Sequence, residues 1–212
     1  ALVQQNLKHS TTLIGSTEPA ILTSLSTLAK ASRDRGDLEG AASLFEQILT
    51  DRIRILGPNH PDILTSRNSL AGTQQELGRL EEAITLYEKN FEDSERILGP
   101  HHPGTLTFRN NLAGAYQDLG RLGEAINLLE QSLKDRTLIL GPDHPDTLAS
   151  RHNLANAYQA AGRFDEAITL HQQNLEDSIH ILGPHHPHTL TSRHNLAVAY
   201  HDAGRLNEAI TL

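Results

Sequence analysis

Three residue types recur where they could do chemistry: asparagine, arginine and histidine. Asn111, Asn153 and Asn195 stand 42 residues apart, and Ser69 and Thr27 hold the same register earlier in the chain. An amide side chain offers donors and an acceptor together. A row of them can grip the backbone of an extended polypeptide without choosing its side chains, or can bond to neighbouring helices and set their spacing. Arg67, Arg109, Arg151 and Arg193 form a second column. Such a column could meet acidic ligand side chains. It could instead cover a helix seam with its stems and pair its heads with carboxylates, for which Glu82, Glu124, Glu166 and Glu208 are candidates. The second reading is favoured, because the column shares its helical stripe with Leu148 and Tyr158. Of thirteen histidines, seven (His60, His101, His102, His144, His185, His186 and His188) lie in linkers. The run His185-His186-Pro187-His188 invites a metal, but no carboxylate or cysteine stands at a fixed offset. These histidines read as linker packing or helix-start residues, and no metal site is expected. No phosphate-binding glycine loop, nucleophile motif or zinc-protease motif is found, so the expectation is a protein that is not an enzyme and carries no cofactor.

The elements that position these residues follow from a repeat. Gly-Pro recurs at 57–58, 99–100, 141–142 and 183–184, always 42 apart, and a second glycine keeps the step at Gly36, Gly78, Gly120, Gly162 and Gly204. A fixed period of this size marks a stacked-repeat architecture. In the copy from His144 to Gly183, Pro145 suits a first helical position and Asp146 puts negative charge at the positive helix end. Leu148, Arg151, Leu154, Ala155 and Tyr158 then follow at spacings of three and four, as one face of a helix. Gly162 ends it in the left-handed conformation. A second helix carries Phe164, Ala167, Ile168, His171, Leu175 and Ile179 inward and stops near Leu182. Alanines recur at 29, 71, 113, 155 and 197 and at 41, 83, 125, 167 and 209, where paired helices must approach closely.

The net charge of −8 argues against a nucleic-acid partner. No apolar run is long enough to span a bilayer and no signal-like segment opens the sequence, so no membrane partner and a cytoplasmic location are expected. The absence of cysteine removes disulfides and thiolate metal sites.

Asn153-Leu154-Ala155, Tyr158, Gly162 and Ala167, with the Leu-Gly-Pro-x-His-Pro-Asp-Thr-Leu linker, resemble a tetratricopeptide repeat of the 42-residue kinesin-light-chain-like type, found also in bacterial signalling proteins. The resemblance covers essentially the whole chain. It implies an all-α, right-handed superhelical solenoid of antiparallel helix pairs whose first helices line a concave groove. The chain then reads as a single repeat array over 1–212. It has a partial second helix at 1–14, full units at 15–56, 57–98, 99–140 and 141–182, and an incomplete unit at 183–212. Ser16-Thr17-Glu18, Ser32 and Gln74 depart from the pattern and predict looser packing in the first two units.

First-helix residues outside the packing stripe fall at spacings of four, three and four. The candidate groove residues are Asn68, Asn110, Asn111, Gln117, His152, Asn153, Asn156, Gln159, His194, Asn195 and His201. The leading functional expectation is a non-catalytic scaffold that holds a protein or peptide in this groove. Rival expectations are the regulatory sensor arm of a larger signalling NTPase and a self-assembling head-to-tail scaffold. The last rests on half-repeats at both ends, where Leu2, Val3, Leu7, Ile210 and Leu212 could support weak self-association; a boundary without meaning is the alternative.

Overall fold

The computed structural model describes residues 19–212, and among these every regular element is an α-helix. The expected partial helix over 1–14, with Leu2, Val3 and Leu7, and the departure at 16–18 lie outside the described residues. The described chain forms two compact units, one ending at Phe108 and the other beginning at Arg109. The first holds α1 (Pro19–Asp34), α2 (Leu38–Leu56), α3 (Pro61–Glu76), α4 (Leu80–Ile97) and the opening of α5 (Pro103–Asp118). The second holds the rest of α5, then α6 (Leu122–Leu140), α7 (Pro145–Ala160), α8 (Phe164–Leu182), α9 (Pro187–Asp202) and α10 (Leu206–Ile210). First helices of each repeat (α1, α3, α5, α7, α9) thus alternate with longer second helices, as the period predicts.

The helix boundaries have local chemical causes. Each first helix after α1 opens with proline, whose missing N–H is no loss at that position. The linker histidine before it is the cap. Nδ1 of His60, His102, His144 and His186 accepts a backbone N–H two residues on, at 3.0–3.2 Å. This places the recurrent histidines as helix-start residues. The rings of His186 and His188 also stack, with centroids 5.4 Å apart. The first helices end on a glycine with positive φ. At Gly162 (φ +74°) the Arg163 N–H then reaches back to the Tyr158 carbonyl at 2.8 Å, closing the helix end. The same bond recurs from Arg79 to Gln74 and from Arg205 to Tyr200.

Within the first unit, Leu22, Leu25, Ala29, Ala41, Ala42, Phe45, Ile48 and Leu70 form one buried cluster. In the second, Ile168, Leu175, Leu196, Ala199 and Tyr200 form another. Both alanine columns are fully buried through their middle members: Ala71, Ala113 and Ala155, and Ala83, Ala125 and Ala167. Ala197 and Ala209 are only half-buried. Within the units, α3 packs on α2 and α4, and α7 packs on α6 and α8. A helix held on two sides keeps little free surface. On α7, Thr147, Ser150 and Ala157 are buried as well as Arg151, Leu154, Ala155 and Tyr158.

Gln74, where Tyr116, Tyr158 and Tyr200 stand later, is buried and accepts a hydrogen bond from Arg79 at 3.2 Å. In the second unit the equivalent Arg121, Arg163 and Arg205 instead stack on those tyrosines at 4.4, 4.2 and 4.8 Å. The second repeat therefore replaces an aromatic stack with a polar bond at that corner.

Three members of the arginine column are structural, with a different partner from the glutamates expected. Arg67 pairs with Asp93 at 2.9 Å, Arg109 with Asp135 at 2.6 Å, and Arg151 with Asp177. Arg67, Arg109 and Arg151 are all buried. Glu124, Glu166 and Glu208 are taken by Arg121, Arg163 and Arg205, three residues before each. Among the described residues, no helix is long and apolar enough to cross a membrane.

Candidate functional site

With two faces of α7 packed, its remaining strip carries His152, Asn153, Asn156, Gln159 and Ala160, and α9 presents His194, Asn195, Val198, His201 and Asp202 beside it. Between them, over α8, lies a cleft of about 430 Å³ lined by Asn156, Gln159, Ala160, His171, His194, Asn195, Val198 and Asp202. Four expected residues, Asn156, Gln159, His194 and Asn195, therefore meet at one site within the second unit.

His152 joins two of them. Its Nε2 lies 3.0 Å from the Asn156 amide and its Nδ1 lies 3.3 Å from the Asn195 amide. Across the cleft Gln159 donates to the Asp202 carboxylate, and His201 Nδ1 lies 3.1 Å from the same carboxylate. The hydrogen bond with His201, then that from Gln159, holds Asp202 below the usual carboxylate range. His201 thus serves the cleft through Asp202.

The other expected residues sit elsewhere. Asn153 is half-buried on α7 and does not line the cleft. Asn110, Asn111 and Gln117 are half-buried on α5, and Asn68 is half-buried on α3 in the first unit. Asn110 Oδ1 is buried without a hydrogen-bond partner. Of the asparagine ladder, Asn195 contacts the preceding repeat through His152.

His171 is the cleft residue that the sequence reading placed only on the packed side of the second helix. The equivalent positions hold Phe45, Tyr87 and Leu129. A polar ring in an otherwise apolar column was the available signal. The His171 ring is 1% exposed, its Nε2 has no hydrogen-bond partner, and its centroid lies 5.7 Å from that of His152. Burial, reinforced by His152, pushes its pKa down to about 4. Burial also lowers His152. Both rings are neutral at pH 7. Among the described residues, no group of three or more His, Asp or Glu could hold a metal ion.

The repeat and its helices match the tetratricopeptide repeat family model in four overlapping segments, 20–89, 62–137, 107–176 and 150–212. A crystal structure from Podosopora anserina, of a protein assigned as a kinesin light chain with nearly identical tetratricopeptide-like repeats, is 36% identical. It aligns over 92% of each chain with a TM-score of 0.84. BtubC (BKLC) from P. vanneervenii is 23% identical over 91% of this chain and 76% of its own, with a TM-score of 0.77, a likeness of fold. The MamA protein, 17% identical over 93% of this chain and 88% of its own, shares the fold at a TM-score of 0.58. No curated protein matches the chain in sequence.

Proposed function

The chain belongs to the tetratricopeptide repeat family, and on that footing we propose that it is a non-catalytic scaffold whose first-helix faces hold an extended peptide or a partner domain. Repeats of this family mediate protein–protein contacts. The observation that carries the reading is the half-buried polar strip left on the first helices once their other faces are packed, with Asn111, Asn153 and Asn195 one per repeat. Amides in that position can exchange hydrogen bonds with a polypeptide backbone whatever its sequence. The strip is poor in aromatic side chains, the usual single anchors of tight interfaces, so affinity accumulates over several repeats.

Peptides selected from a random library on the immobilised chain supply the ligand for the test. Replacing Asn111, Asn153 and Asn195 together by alanine is expected to leave the helical dichroism unchanged. Binding of the selected peptides should weaken by about 0.5–1.5 kcal/mol for each neutral hydrogen bond lost. A folded triple variant that binds these peptides as tightly as the parent overturns the proposal.

A further inference from the structure

The α7–α9 cleft has a donor and acceptor pattern that narrows what it can take. A neutral imidazole carries one N–H and one lone pair. The two ring nitrogens of His152 face one amide each, from Asn156 and Asn195. Both contacts are made by an asparagine Nδ2, and the single lone pair of the ring accepts from only one of them. The amide atoms that remain are the two carbonyl oxygens, which accept. Both asparagines line the cleft and supply it with acceptors for an N–H donor.

Beneath them His171 lines the same cleft, and its Nε2 is buried without a hydrogen-bond partner. Leaving such an atom unsatisfied forfeits its hydration with nothing gained in return. Phe45, Tyr87 and Leu129 fill the equivalent position without an imidazole, so packing alone does not demand one. No lysine or arginine lines the cleft, and the oxygens of Asp202 are engaged by Gln159 and His201. An anionic group entering would lose its hydration beside the Asp202 carboxylate with no counter-charge in the lining. Ala160 and Val198 supply apolar wall for a short methylene stem.

We propose that this cleft is a subsite for a primary carboxamide, the side chain of an asparagine or glutamine in the bound polypeptide, with Nε2 of His171 as the hydrogen-bonding group at its floor. This deepens the scaffold reading and rests on it for the source of the carboxamide. The site itself is testable without a full ligand.

The probe is N-acetylglutamine methylamide, compared with the N-acetylglutamate and N-acetylnorleucine methylamides. Each is titrated into the full chain while the His171 ring nitrogens are followed by long-range proton–nitrogen NMR. The glutamine probe should shift Nε2 of His171 and bind more tightly than either comparison. His171→Leu and His171→Phe take residues that the chain itself uses at this position, and each should weaken the probe roughly 3- to 10-fold while keeping the helical signal. The proposal is overturned if the glutamine probe leaves Nε2 unmoved, if the glutamate or norleucine probe binds equally well, or if a folded His171→Leu chain binds the glutamine probe unchanged. The probe is too short to span successive repeats, so its silence removes the carboxamide site and leaves the ladder to the peptide assay. Conversely, probe binding with no effect of an Asn111→Ala/Asn153→Ala double variant, whose two positions lie outside the cleft lining, on selected peptides removes the ladder and keeps the site.

Discussion

His171 sits where other repeats place a phenylalanine, a tyrosine or a leucine, and its stability consequences follow from that exchange. Burial holds its pKa at about 4 in the folded chain, against about 6.5 for an unperturbed imidazole. Between those values the unfolded chain binds a proton that the folded chain does not. The stability present above pH 6.5 is therefore lost as pH falls through 4. Denaturant titrations of the parent and of His171→Leu should diverge over this window. The parent is expected to lose on the order of 3 kcal/mol more than the variant; parallel pH profiles would contradict the assignment. Asp93 gives a second residue-scale case. Burial alone would raise its pKa, but hydrogen bonds from Arg96, Lys89 and Arg67 outweigh this and keep the carboxylate ionised. Its removal leaves Arg67 buried without its counter-charge. Asp93→Ala should cost about 3 kcal/mol, whereas Glu82→Ala, on the exposed first turn of α4, should stay within about 0.5 kcal/mol. Equal losses in urea denaturation would return the arginine column to the glutamates.

At the scale of elements, the helices were legible because their ends are written in single residues. Proline opens a first helix, glycine with positive φ closes it, and the period of 42 repeats the statement. The arginine partner was not legible, because it depends on how two helices run past each other. In an antiparallel pair the early part of the first helix faces the late part of the second. Arg67, in the first half of α3, therefore meets Asp93 near the end of α4 rather than Glu82 at its start. The cleft was half legible for a similar reason. Asn156, Gln159, His194 and Asn195 follow from first-helix spacing, while His171 enters from the second helix and its apolar column disguised it. Close approach of the elements also sets their tolerance. Ala155 is fully buried between α7 and its neighbours, so Ala155→Leu should overpack the seam and cost about 1–3 kcal/mol. Gly162→Ala places a Cβ at φ +74° and should cost about 1–2 kcal/mol. Chemical denaturation of the two variants checks both figures, and a parental midpoint for Ala155→Leu would take that residue off the packed face.

For the molecule as a whole, the order of packing decides how damage spreads. In the second unit α6 packs on α7, α7 on α8 and α8 on α9, each helix on its neighbour in sequence. In the first unit α1, α2, α3 and α4 follow the same rule. Stability in such an array is close to a sum of repeat terms and nearest-neighbour interface terms. A strained seam at Ala155 acts directly on α7 and on the two helices that touch it. Within the second unit its effect on α9 passes through the interface of α8 with α9. Amide hydrogen exchange on Ala155→Leu under native conditions should therefore rise most in α7, next in α6 and α8, and stay at parental rates in α1 and α2. A uniform acceleration from α1 to α9 would mean that the chain opens as one cooperative block. In that case peptide binding on α7 and α9 would stabilise every helix alike, instead of protecting the repeats that carry the cleft.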